Sequence, residues 1–283
     1  MLALVLVQRK VRSTRHLPMS ASSPIGVFDS GVGGLSVLME IRRELPHENL
    51  LYVADSGHAP YGDKPADEIQ ERAHAIVDFL VGQGAKAIVV ACNTATGVSV
   101  DALREQWSIP IVGIEPAIKP AVATTRSGVV AVLATSQTIA STRFARLVET
   151  FGAGVDVVAQ PCPGLVERIE EGDFSGPATR RLIESYVRPL IAKGADTIVL
   201  GCTHYPFVTP AIADAAGPGI AIIDPAAAVA REVRRRLERA GSLTPATKPG
   251  TTRFWTSGPL GHLDEAVLRF GVTDSAGIEP LPV

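Results

Sequence analysis

The chain has 283 residues, 46% hydrophobic and 20% charged, with 27 Lys and Arg against 29 Asp and Glu for a formal net charge of −2. That length suggests two compact domains, and the apolar fraction suits a folded globular chain rather than a disordered one. A near-neutral balance without a basic run offers no electrostatic footprint for nucleic acid, and no apolar run approaches the roughly 20 residues that cross a bilayer.

The first seven residues are apolar, but the basic residues Arg9, Lys10 and Arg12 follow them. A secretory signal has the opposite order, so residues 1–23 read as a flexible N-terminal extension, with Met19 a second candidate start. From Pro24 onward short apolar strands alternate with longer helical stretches, the pattern of an α/β protein with parallel sheets. Strands are predicted at 25–28, 50–54, 87–90, 111–114, 128–133, 155–159, 197–200 and 220–223, each apolar enough to lie under helices on both faces. Helices are predicted at 35–45, 67–83, 142–151, 177–193 and 226–240. In the last of these Val229, Val233 and Leu237 recur every four residues, which marks one buried face. Beyond it lie a loop, a further strand at 253–256 and a short helix at 261–270.

The chain repeats itself. Residues 84–94 (GAKAIVVACNT) read against 194–204 (GADTIVLGCTH): a helix-ending glycine, a buried strand, then a cysteine and two polar residues. Earlier, 27–30 (VFDS) read against 132–135 (VLAT) and 53–55 (VAD) against 158–160 (VAQ). The separation is 105 positions for the early pairs and 110 for the cysteines, too long for a solenoid period of roughly 20–50. It predicts two homologous domains, one from 24–116 with 225–283 and the other from 117–224.

In open parallel sheets ligands bind beyond the carboxyl ends of the strands. The polar clusters fall there: Asp29-Ser30-Gly31, 55–62 and Cys92-Asn93-Thr94 in the first half, Thr135-Ser136, 160–163 and Cys202-Thr203-His204 in the second. If the halves face each other, Cys92 and Cys202 enter one cleft from opposite sides. One cysteine after a buried strand is commonly an inert small hydrophobe; two at equivalent positions of a duplicated domain point to function. Cys162 has no such counterpart in this alignment and reads as packing. Three cysteines make no disulfide framework, and neither they nor the six histidines show zinc-ligand spacing. Gly31-Val32-Gly33-Gly34 could cradle an anion at a helix N-terminus, yet glycine also serves any tight strand-to-helix turn. Asp29 and Glu170 read equally well as solvated carboxylates. His204 lies two residues after Cys202, on the same face of an extended chain, where it can act as the thiol's proton partner. A thiol with pKa about 8.5 can give or take a proton near neutrality. One thiolate with a base makes a nucleophile; two opposed thiols make an acid–base pair that inverts a stereocentre without a cofactor. Only six lysines, none in a recognisable pyridoxal motif, argue against a Schiff-base route.

Four motifs, in order, carry a resemblance to a known family: IGVFDSGVGG at 25–34, APYG at 59–62, ACNTA at 91–95 and GCTHYP at 201–206. From about Pro24 to Ala240 the chain resembles the glutamate racemases of the cofactor-independent aspartate/glutamate racemase superfamily. The resemblance implies two pseudo-symmetric open parallel-sheet, flavodoxin-like domains with the active site in the cleft between them. It implies interconversion of L- and D-glutamate for peptidoglycan synthesis, with Cys92 deprotonating D-glutamate and Cys202 L-glutamate. Asp29 and His204 would assist the thiols and hold the ammonium group. Glu170 would be the family's glutamate, although Glu167 and Arg168 stand where the family usually has a proline and an apolar residue. Ser30, Tyr61, Gly62, Asn93, Thr94, Thr135 and Thr203 match substrate-binding positions. The expected setting is cytoplasmic and homodimeric, with glutamate as the partner and no cofactor, metal, nucleic acid or membrane. The alternatives are a racemase of aspartate or another acid in the superfamily, or a non-catalytic protein that binds an acidic ligand; both thiols standing with Asp29 and His204 speak against the latter.

Overall fold

The computed structural model describes residues 20–272 and 275–283; the expected N-terminal extension falls outside them up to Met19. Residues 20–23 form a turn, and the Ala21 carbonyl accepts from Lys86 Nζ. In chain order the elements are β1 (Ile25–Asp29), α1 (Leu35–Glu44), β2 (Leu50–Ala54), α2 (Ala66–Gly82), β3 (Ala87–Val90), α3 (Asn93–Gln106), β4 (Ile111–Gly113) and α4 (Ile118–Thr124). Next come β5 (Val129–Ala134), α5 (Ser136–Ala140), α6 (Thr142–Phe151), β6 (Asp156–Pro161), α7 (Leu165–Glu170), α8 (Pro177–Ala192), β7 (Thr197–Gly201), α9 (Thr209–Ala216) and β8 (Ala221–Ile223). The chain closes with α10 (Ala226–Arg239), β9 (Thr252–Thr256), α11 (Leu260–Arg269) and β10 (Ser275–Pro280).

The strands make two sheets, ordered β10-β9-β2-β1-β3-β4 and β6-β5-β7-β8, with every ladder parallel. The shared order, second-first-third-fourth, is the doubly wound α/β arrangement expected from the sequence. Alternation along β1 sends Ile25 and Val27 into the core under α1 and α10, and Phe28 into the core under α2 and α3. In β5, Ala131 and Leu133 face α8 and α9 while Val130 and Val132 face α4 and α6. Val229, Val233 and Leu237 of α10 are buried in the core that also holds Leu38 and Ile41 of α1, each side chain contributing roughly 1.5–3 kcal/mol. A buried Lys86–Glu48 ion pair at 2.6 Å joins the start of β3 to the loop before β2, and Glu48 also accepts from the Thr244 amide.

Two sequence readings change. Not every strand is covered on both faces: β6 and β8 are the edges of the second sheet and are half-exposed along their length. The repeat alignment shifts by two residues at β6. In the first sheet Phe28 pairs with Val53, whereas in the second Leu133, the counterpart of Phe28, pairs with Gln160 and not with Val158. The ladder bonds agree: Asp55 N–H donates to Asp29 O as Cys162 N–H donates to Ala134 O. Cys162 therefore does have a counterpart, and it is Asp55.

Candidate active site

The two sheets present their strand ends to each other. A cavity of about 10 Å³ between them is lined by Ser30, Pro60, Tyr61, Gly62, Cys92, Asn93, Thr94, Thr135, Val166, Cys202, Thr203 and His204. Every residue proposed from the sequence lines it except Asp29 and Glu170, which stand directly behind it. Cys92 caps α3, its Sγ accepting from the Ala95 amide at 3.4 Å. Cys202 follows β7, where its carbonyl accepts from Tyr205 N–H and starts a 3-10 turn over Tyr205–Val208. Strand end followed by helix start thus delivers both sulfurs, and both are buried.

Behind each sulfur runs a polar chain ending in a carboxylate. On one side Cys92 Sγ donates toward Ser30 Oγ at 3.7 Å, Ser30 Oγ toward Asp29 Oδ1 at 3.4 Å, and Asp29 Oδ1 also accepts from Gly31 N–H at 2.9 Å. On the other, Cys202 Sγ lies 3.7 Å from His204 Nδ1, and His204 Nε2 lies 2.6 Å from Glu170 Oε1. Each carboxylate is also gripped by the opposite half. Thr203 Oγ1 donates to Asp29 Oδ2 at 2.9 Å, and Val32 N–H donates to Glu170 Oε1 at 2.9 Å. Thr94 and Thr135 hydroxyls meet across the cleft at 2.9 Å, and Ser36 Oγ donates to Thr203 O at 3.0 Å.

The electrostatics follow from burial in this setting. Burial pushes the Cys92 thiol up to about 12, with the Asp29 charge adding to the effect. Burial also raises Asp29 above the usual carboxylate range, only partly offset by His204 and by the Gly31 and Thr203 hydrogen bonds. For Glu170 burial is outweighed by the hydrogen bond and charge of His204 and by the Val32 amide, so it is held below its ordinary value. Burial alone would depress His204; the bonds to Cys202 and Glu170 win and hold it well above the ordinary imidazole range. His204 and Glu170 are therefore an ion pair at neutral pH.

The glycines of 31–34 have a further geometric explanation, beside the loop amides of Gly31 and Val32 that donate to the Asp29 and Glu170 carboxylates. A Cβ on Gly31 would sit 2.0 Å from Glu170 Oε1, one on Gly33 2.3 Å from His204 Nδ1, and one on Gly34 2.5 Å from the Asp29 Cβ. These positions admit the carboxylates and the imidazole. Asn93 is oriented by α3, and neither its amide nitrogen nor its amide oxygen has a hydrogen-bond partner among the described residues; a buried amide left so calls for a ligand. Tyr61 is fixed by Asp55, which accepts from its hydroxyl at 2.5 Å and from Arg72 and Ser257 as well. Among the described residues no cluster of His, Cys, Asp and Glu is arranged to hold a metal ion, and no helix is long and apolar enough to cross a membrane.

The sequence of the Asp/Glu/Hydantoin racemase family matches residues 25–233. Over 261 residues the chain is 58% identical to the glutamate racemase of Methylococcus capsulatus, which spans 92% of this chain and 95% of that protein. The chain belongs to the glutamate racemase family. Among solved glutamate racemases, isoform RacE1 of Bacillus anthracis superposes with a TM-score of 0.85 at 32% identity, over 92% of this chain and 98% of that one. The Francisella tularensis glutamate racemase, solved in complex with D-glutamate, superposes with a TM-score of 0.81 at 30% identity and the same coverage. Membership makes this chain an isomerase of the amino-acid racemase type.

Sequence reasoning missed four contributors: Pro60 and Val166, which line the cavity; the Val32 amide; and His262, whose Nε2 lies 2.5 Å from the Glu170 carbonyl. Val32 sits inside a motif already singled out. Val166 is an ordinary apolar residue, and His262 is a single histidine on an amphipathic helix, so neither carried a signal.

Proposed function

We propose that this chain interconverts L- and D-glutamate by a two-thiol mechanism with Cys92 and Cys202 as the acid–base pair, supplying D-glutamate for peptidoglycan. The observation that carries the reading is the pair of cysteines at equivalent strand ends, lining one cavity and each backed by its own carboxylate chain. In the L to D direction the Cys202 thiolate takes the α-proton and becomes a thiol. The electron pair left on Cα then takes the proton of the Cys92 thiol from the opposite face, leaving Cys92 as thiolate. Proton exchange with solvent through the groups behind each sulfur resets the pair. The α-proton is a very weak acid, so a dry site suits the chemistry: a thiol as reluctant to ionise as Cys92 is a strong base once ionised. Donors from Ser30, Asn93, Thr94, Thr135 and Thr203, with Tyr61 and the Gly62 backbone, hold the substrate and stabilise charge developing on its α-carboxylate; Asp29 holds its ammonium group, while the charged His204 steadies the Cys202 thiolate.

A cavity of about 10 Å³ has room for roughly one water, so glutamate reaches the thiols only when the two halves separate. We take 24–116 with 225–283 as one of these halves and 117–224 as the other, in a cytoplasmic homodimer. Circular dichroism of enantiopure glutamate, with NMR of α-proton exchange in deuterated water and no added cofactor, tests the mechanism. Wild type loses optical activity; Cys92→Ser and Cys202→Ser each abolish racemisation. Either single variant racemising at the wild-type rate overturns the two-base reading, as does a requirement for pyridoxal phosphate. Aspartate, run in parallel, tests the alternative substrate.

A further inference from the structure

We propose that His262 is a positioning residue for the Cys202 half of the reaction, acting through Glu170. This rests on the two-thiol reading above. Glu170 is the last residue of α7, a helix of six residues, and a helix end leaves its final carbonyls without intrahelical donors. The Glu170 carbonyl is met by His262 Nε2 at 2.5 Å, and because a carbonyl only accepts, Nε2 carries the hydrogen. The same imidazole lies 3.6 Å from Glu170 Oε2, the oxygen that faces away from His204. Glu170 Oε1 is occupied by His204 Nε2 and the Val32 amide. His262 thus holds the residue at its backbone and flanks its free oxygen, fixing which way the carboxylate points.

The tether comes from the opposite half. His262 lies on α11, whose Leu263, Ala266 and Val267 are packed into the core under the first sheet. Two turns further along α11, Arg269 Nη1 donates to the Gly172 carbonyl at 3.0 Å. The helix grips the end of α7 at two points, of which only the first touches Glu170. Among the described residues the line His262–Glu170–His204–Cys202 has no equivalent behind Cys92: Asp29 is a strand residue, placed by the sheet, the Gly31 amide and the Thr203 hydroxyl. In an otherwise pseudo-symmetric site, His262 serves one thiol.

That asymmetry gives a test that general loosening cannot mimic. Enantiomers have equal free energy, so kcat/KM must fall equally in both directions whichever thiol is impaired, and rate alone is uninformative. Isotope effects separate the thiols. His262→Ala, in the full-length enzyme, is expected to lower kcat/KM about tenfold, the scale of one lost hydrogen bond in a functional array. The effect of α-deuteration on kcat/KM should rise with L-glutamate, whose proton goes to Cys202. It should fall with D-glutamate, where cleavage by Cys92 then precedes the slow step. His262→Gln places an amide donor where Nε2 was and should restore most of the rate and both isotope effects. Arg269→Ala, which loosens α7 without touching Glu170, should leave the isotope effects unchanged. If the Ala variant does not fold, His262→Asn, too short to reach the carbonyl, replaces it. His262→Ala, or His262→Asn in its place, within twofold of wild type overturns the proposal. So does a slower one whose isotope effects stay put or move together, or failure of Gln to rescue. Cys92→Ser and Cys202→Ser run in the same assay: if either racemises at the wild-type rate, the two-thiol reading has failed rather than the role of His262.

Discussion

Replacing Gly31 by Ala isolates the placement of Glu170 with the smallest possible perturbation. Gly31 does not adopt a left-handed backbone, so alanine costs no strain there, and the lower entropy of its unfolded chain contributes roughly 0.4–1 kcal/mol in favour of folding. The added Cβ would stand 2.0 Å from Glu170 Oε1 and 2.8 Å from its Cδ. Reaching ordinary van der Waals separation requires the carboxylate to retreat by more than about 1 Å. Oε1 now accepts from His204 Nε2 at 2.6 Å and from Val32 N–H at 2.9 Å; retreat stretches both beyond hydrogen-bonding distance. Hydrogen bonds to a charged group contribute about 1.5–3 kcal/mol each. Allowing for partial re-pairing through Oε2, a loss of about 3 kcal/mol in the transition state is expected, or roughly 100-fold in kcat/KM. Racemisation followed by circular dichroism measures the rate, and a thermal melt verifies folding. A folded Gly31→Ala protein with kcat/KM within threefold of wild type would refute the claim that Glu170 must sit where the glycine lets it.

Two further outcomes follow from buried polar groups. Asn93→Ala removes an amide whose two polar atoms have no partner among the described residues, so the melting temperature should hold or rise while KM increases at least about tenfold; a lowered melting temperature with unchanged KM would mean that the amide is structural. His204 is raised and Glu170 lowered. The His204 contribution to stability is fully present below its unfolded value near pH 6.5 and is lost as pH rises through the raised folded value. The Glu170 contribution is present above its unfolded value near pH 4.5 and is lost as pH falls through the lowered one. The melting-temperature difference between wild type and His204→Gln should therefore be greatest between these limits and shrink on either side, and calorimetry that finds it flat with pH rejects the ion pair.

The strands were legible because burial under helices demands unbroken apolar runs. The predicted strand at 50–54 coincides with β2 and that at 87–90 with β3, while the others shift at their ends by one or two residues. The thiol pair was legible because duplication printed the same strand end twice. The reading failed where one sequence pattern served two geometries. Val53-Ala54 and Val158-Ala159 look alike, but β6 slides by two residues in the ladder, and pairing register leaves no mark in two apolar strings. The strand β10, Ser275–Pro280, escaped because an edge strand with glycine and proline lacks apolar alternation. Glu170, assigned only by resemblance, owes its place to contacts from Val32 and His262, respectively 138 and 92 positions away in sequence. No local motif encodes such contacts.

The crossed grip on the two carboxylates works as an interlock. Asp29 belongs to the first sheet but is held by Thr203, while Glu170 follows the second sheet but is held by Val32. In the proposed opening, drawing the halves apart would break both grips in one movement. Each polar chain, Cys92–Ser30–Asp29 and Cys202–His204–Glu170, would stay whole within its own half and lose only the donor that reaches its carboxylate from across the cleft. Both carboxylates would then have their full set of donors only while the halves are closed.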